Sequence, residues 1–98
     1  MAITKTLELH FKPEALDDAR TVVRRALKET RAFDGNLGVN VLVDRDDRSH
    51  WILYERWESQ EHNDAYHEFR AGPGVITDLG PLLAGPPAHG WFTIDDSI

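Results

Sequence analysis

The sequence predicts an α+β fold of ferredoxin-like type, a split β-α-β-β-α-β unit with one antiparallel sheet and both helices on one of its faces. Three observations predict it. Four short stretches alternate or cluster apolar residues as strands do, two longer stretches repeat them with helical period, and glycine, proline and aspartate punctuate the joins. The 98 residues fit one domain, 1–98, without repeats or low-complexity segments.

The elements follow in order. In ITKTLELHF, 3–11, Ile3, Leu7, Leu9 and Phe11 share one face, while Thr4, Thr6, Glu8 and His10 share the other, which is a period-2 strand. Pro13 is tolerated at a helix start, acidic Glu14, Asp17 and Asp18 suit the first turn, and Arg24, Arg25 and Lys28 suit the later turns. Leu16, Ala19, Val23, Ala26, Leu27 and Thr30 form one stripe, so 13–32 is an amphipathic helix. Asp34-Gly35 turns the chain into a second strand, LGVNVLV, 37–43, and the polar 44–49 segment forms a hairpin loop. WILYERW, 51–57, carries large side chains on both faces and is therefore expected at the centre of the sheet. Ser59 is an N-cap for a helix over 60–70, ended by GPG at 72–74. A short helical piece is expected within 75–83, a turn at 85–87, and a last strand at 89–94.

Composition narrows the function. The 11 Lys+Arg against 17 Asp+Glu give a net charge of −6, which opposes nucleic acid and anionic membrane surfaces as partners. Without cysteine there is no disulfide, thiolate nucleophile or cysteine-based zinc site. The first residues contain no signal-peptide h-region, and no run approaches the ~18 apolar residues of a membrane span, so a cytoplasmic location is expected. A domain this small buries only somewhat over ~60% of its unfolded surface, and the sheet face away from the helices also carries apolar residues; a second copy of the chain would cover it.

The second helix carries the candidate chemistry. His62, Ala65, Tyr66 and Phe69 share the stripe expected to face the sheet, flanked by Asn63, His67 and Arg70. Two readings are open. His62 and Tyr66 are core residues with satisfied polar tips, or they line a cavity in which Tyr66 donates a hydrogen bond to a bound oxygen and His62 exchanges a proton near neutral pH. Trp57, with Trp51 and Tyr54, either packs in the core or offers a wall on which an aromatic ligand stacks. His10 reads as an exposed or interface histidine. His62 and His67 are five apart, not the i, i+4 pairing of a helical metal site, so no metal is expected. Phosphate-loop, flavin and nicotinamide fingerprints and a nucleophile elbow are absent, so no cofactor is expected.

Several segments together resemble the antibiotic biosynthesis monooxygenase (ABM) domain family: FKPE at 11–14, TRAFDGNLGVNVLVDRDD at 30–47, YERWESQEHNDAY at 54–66 and LLAGPP at 82–87, with the Glu-x-Trp-Glu-Ser junction at 55–59 the most specific. The resemblance implies a dimeric α/β barrel of two sheets packed face to face, with a pocket between helices and sheet in each subunit. It implies cofactor-independent oxidation of an anthrone- or quinol-like, polyketide-type aromatic by O₂ to a quinone. His62, Tyr66 and Asn63 would then carry the proton chemistry, and Trp57, Leu53, Phe69 and His67 would bind substrate. Leu53 stands where quinone-forming members have a pocket asparagine, and a leucine cannot hold a phenolate oxygen; His62, Asn63 or Tyr66 would have to replace it. A non-catalytic dimeric module for small ligands is the alternative. Haem degradation ranks third, because Val75-Ile76-Thr77 occupies the neighbourhood of those relatives' axial histidine.

Overall fold

A computed structural model describes residues 2–98. The strands are β1 (Ile3–His10), β2 (Asn36–Val43), β3 (His50–Trp57) and β4 (Ala88–Phe92); the helices are α1 (Leu16–Ala32) and α2 (Gln60–Ala71). The sheet order is β2-β3-β1-β4, with every neighbouring pair antiparallel. This is the expected ferredoxin-like arrangement, with β3 inside the sheet as the large side chains on both its faces predict.

Register fixes which side chains face the helices. Lys5 lies opposite Glu55, Leu7 opposite Leu53, and Leu9 opposite Trp51, so the odd positions of β1 and β3 share the helix-facing side. Leu9, Phe11, Ala19, Val23, Leu27, Val39, Trp51 and Leu53 form the main core there, and Ile3, Trp57 and Tyr66 form a second cluster with Phe33 and Phe69. The even positions face away. On that uncovered side Leu42, Tyr54 and Phe92 are 48%, 37% and 56% exposed.

Three boundaries differ from the sequence expectation by more than one residue. Pro13–Ala15 forms a 3₁₀ turn before α1, and no side chain caps either start. Residues 75–83 form no α-helical piece; the only helical element there is a 3₁₀ turn, Gly80–Leu82. Between Gly74 and Pro81 too few residues remain to nucleate an α-helix, and Pro81 removes a donor. β4 runs Ala88–Phe92, not 89–94.

Gly35 closes the turn before β2 at φ 88°, where a side chain would be strained, and a Cβ there would run into the His62 ring. The start of α2 is thus pressed against the turn that follows α1. No described helix is long and apolar enough to cross a membrane.

Candidate functional site

A cavity of about 270 Å³ lies between the two helices and the inner face of the sheet. That is near the lower end of small-molecule sites, ~300–1,000 Å³, and suits a compact ligand. β1 and β3 supply its floor through Lys5, Leu7, Leu9, Leu53 and Glu55; α1 supplies an apolar wall that includes Val23 and Leu27; Tyr66, His67 and Arg70 of α2 face them. Val75, Ile76 and Leu79 border it from the irregular segment, and His89 from β4. The strand register gives the cavity polarity. Lys5 and Glu55 mark one end, and two rungs along the sheet Leu9 marks the other.

Two charged groups face this space with little water. Lys5 is 2% exposed and Glu55 3%. Burial pushes the Glu55 carboxyl above its usual range, against the pull of the Trp57 indole N–H (3.0 Å to Oε1) and of Lys5 and Arg70. Burial lowers the Lys5 ammonium, and Glu55 partly restores it. Lys5 Nζ lies 5.4 Å from the Trp91 ring centroid, a cation–π contact. His67 Nε2 is buried and has no hydrogen-bond partner among the described residues. Burial first, then Lys5 and His89, keep the His67 imidazole neutral to lower pH than usual. An orphaned buried nitrogen beside a cavity is a position for a ligand atom or a water.

Tyr66 and Arg70 are spent on structure. Thr30 gives its hydroxyl proton to Ala26 O (3.1 Å), so the 2.7 Å contact between Thr30 Oγ1 and Tyr66 Oη takes the tyrosine proton. Tyr66 Oη also accepts from Arg70 Nε at 2.7 Å. The remaining guanidinium donors go to Glu29, Gly74 O, Ala26 O and Thr30. All five donors of the fork are engaged, so Arg70 ties α2 to α1 and to the 72–75 turn. Tyr66 forms part of the wall, but its proton already has an acceptor.

The structure separates the residues that the sequence grouped. Tyr66, His67 and Leu53 line the cavity. His62 does not. It sits at the first turn of α2, with Ser59 Oγ 2.6 Å from Nδ1 and with Glu58 and Asp34 3.6 and 3.8 Å from Nε2. Of the stripe expected to face the sheet, Tyr66 and Phe69 pack against the core, Ala65 is exposed, and the N-cap bond holds His62 on the side of the 34–35 turn; Asn63 of the expected flank is buried beside Tyr66. Asn63 is fully buried outside the cavity; its Oδ1 accepts from Trp91 Nε1 at 2.8 Å. Trp57 is fully buried, its ring 5.0 Å from that of Tyr66, and it offers no face to the cavity. Phe69 packs against Phe33 and Tyr66. Sequence reasoning missed Lys5, Glu55 and His89. The signal was present for the first two: Lys5 interrupts the apolar face Ile3-Leu7-Leu9, and Glu55 stands between Leu53 and Trp57 on the same face of β3.

The fold and cavity together define a small α+β protein with a half-open, mainly apolar site carrying a few convergent polar groups. The chain belongs to the antibiotic biosynthesis monooxygenase family, whose model matches residues 2–71. No curated protein matches it. Among solved structures it resembles Rv0793 from Mycobacterium tuberculosis at 23% identity and TM-score 0.81, covering 98% of this chain and 97% of that one. It resembles a conserved protein from Methanosarcina mazei Go1 at 15% identity and TM-score 0.84, covering 94% and 91%. A mutant of SnoaB, a cofactor-independent oxygenase from Streptomyces nogalater, matches at 22% identity and TM-score 0.77, covering 95% and 92%. At these identities the likeness carries the fold, and the family carries a monooxygenase-type class.

Proposed function

We propose that the chain oxidises a compact, electron-rich aromatic of anthrone or quinol type with O₂, without a cofactor, in the cavity between helices and sheet. The observation that carries this reading is the polar end of the cavity: a buried carboxylate with a raised pKa, a buried ammonium and an unpartnered imidazole nitrogen on one apolar chamber. Membership in the monooxygenase family and the likeness to SnoaB support it.

The chemistry asks little of the protein. Glu55 takes a proton from the activated carbon or phenol, leaving an electron-rich anion; Lys5 and His67 stabilise its oxygen. The anion reduces O₂ and forms a carbon–oxygen bond, the proton returns to the peroxide, and loss of water leaves the carbonyl. For a CH₂ group the balance is CH₂ plus O₂ to C=O plus H₂O, with every electron supplied by the substrate. This assignment moves the proton step from His62 and Asn63 to Glu55, and gives Tyr66 the task of shaping the wall. The homodimer belongs to the same reading, sheet against sheet through the uncovered face.

The test is O₂ uptake and quinone formation with dithranol, using metal-stripped protein and a heat-denatured control for autoxidation. Turnover above control that falls about 10²-fold or more in Glu55→Gln is expected. Equal turnover in wild type and Glu55→Gln removes Glu55 from the mechanism. A second reading, a non-catalytic binding module, is favoured by Leu53, which lies on the cavity floor with no polar atom to offer a phenolate. It predicts saturable binding of the aromatic with no O₂ consumption.

A further inference from the structure

The uncovered face of the sheet holds a cluster that the oxidation does not use. His10 and His50 are register partners at the end of β1 and β3, and their rings stack at 4.4 Å with 3° between planes. Glu8, two residues along β1 on the same face, reaches both. Its carboxylate oxygens lie 2.7 Å from His50 Nε2 and 4.0 Å from His10 Nε2. The other nitrogen of His50 is held by Asp44 at 2.9 Å, in the loop that joins β2 to β3.

We propose that Glu8, His10 and His50 form a divalent transition-metal site, with zinc the first candidate. The ligand types are those of two-histidine, one-carboxylate zinc centres, in which a further position stays open to water. Asp44 stands where such sites place a carboxylate: hydrogen-bonded to the remote nitrogen of a ligating imidazole, fixing its tautomer and aiming Nε2 inward. The metric change needed is small. Ligand bonds near ~2.1 Å in a tetrahedron put donor atoms about 3.4 Å apart. The 2.7 Å contact, to Glu8 Oε2, must open and the 4.0 Å contact, to Glu8 Oε1, must close by roughly the same amount, and one ligand atom from each of the three residues already lies within 4.8 Å of the others, within reach of side-chain rotation. At 2.7 Å the space between His50 Nε2 and Glu8 holds a proton; the metal takes that place and the proton leaves to solvent. Two imidazoles exclude the hard cations, which prefer all-oxygen sets.

A second group, Asp34, Glu58 and His62, has only one imidazole and a largely exposed aspartate, and serves as the internal control. The experiment is isothermal titration of the untagged, chelator-treated full chain with zinc chloride, read with the thermal midpoint. The expected result is one zinc per chain, a raised midpoint, and affinity lowered roughly tenfold or more in His10→Ala, His50→Ala and, through orientation alone, Asp44→Asn. His62→Ala should bind as wild type does, and magnesium should give no heat. Circular dichroism checks that each variant is folded. No saturable zinc binding, or binding untouched by the His10→Ala/His50→Ala double variant, would overturn the site and leave an ion-paired histidine.

Discussion

At the scale of single residues, the cavity is defined by charges placed where a sheet should be apolar. Lys5 and Glu55 face the helices at opposed positions of adjacent strands, and both carry a desolvation cost that their mutual attraction only partly offsets. The signs follow from the directions in which burial moves the two groups. Glu55 has a folded pKa above its ordinary 4.5, so the folded state holds its proton more tightly than the unfolded chain does. The cost of charging Glu55 is therefore absent below about 4.5 and grows as pH rises through the raised folded value, by about 1.4 kcal/mol for each tenfold difference in proton affinity between the two states. Lys5 runs the other way near the alkaline end, its cost fading as pH rises toward 10.5. Glu55→Gln should thus gain stability relative to wild type as pH rises from 4.5 into the neutral range, measured by urea unfolding at a series of pH values. A difference that stays flat over that range would mean Glu55 is not desolvated. Activity should show the same group: kcat/KM for the aromatic should fall on the acid side at a pH above 4.5.

Elements were more legible than their faces. The α1 stripe read from the sequence recovers Ala19, Val23, Ala26, Leu27 and Thr30 of the buried set and misses Val22, because aliphatic spacing orients a helix to within one neighbouring position. For α2 the sequence put His62, Ala65, Tyr66 and Phe69 on the inward stripe and Asn63, His67 and Arg70 on its flank, whereas the buried pair is Asn63 and Tyr66. What selects it is tertiary: the Ser59 cap and the Gly35 turn hold His62 outside. The cap is also an energetic statement. Ser59 Oγ accepts from His62 N–H at 3.2 Å and shares a second hydrogen bond with His62 Nδ1 at 2.6 Å, joining the helix start to its own third residue. Ser59→Ala should cost about 1 kcal/mol in urea unfolding and leave dithranol turnover within about twofold of wild type. A loss of turnover far beyond that would return His62 and its surroundings to the site. The segment 75–83 was illegible for a different reason. Its apolar residues border the cavity as irregular chain, and apolar spacing alone does not separate that from a helical turn.

On the scale of the whole molecule, one sheet has one face covered by helices and one left bare. The sequence showed large side chains on both faces of β3, but it could not show which neighbours share the bare side; strand order did that, by bringing Leu42 of β2, Ile52 and Tyr54 of β3 and Phe92 of β4 to one surface. Burying apolar area yields roughly 25 cal/mol per Å², and a 98-residue chain has little surplus stability to leave such area in water. A second copy packed sheet to sheet satisfies both demands, and it would put the His10–His50 pair at the rim, since that pair ends the β1–β3 ladder. The prediction is a solution mass of twice 11.2 kDa by light scattering at micromolar concentration. Leu42→Lys with Phe92→Lys, at side chains 48% and 56% exposed and so harmless to the core, should shift the mass to that of one chain while the circular dichroism spectrum holds. A wild type that scatters as one chain at every concentration would end the barrel reading. A double variant that still dimerises would place the interface elsewhere. Because the cavity lies on the opposite side of the sheet, the monomeric variant should retain its ligand affinity, which tests whether site and interface are separate properties of the same four strands.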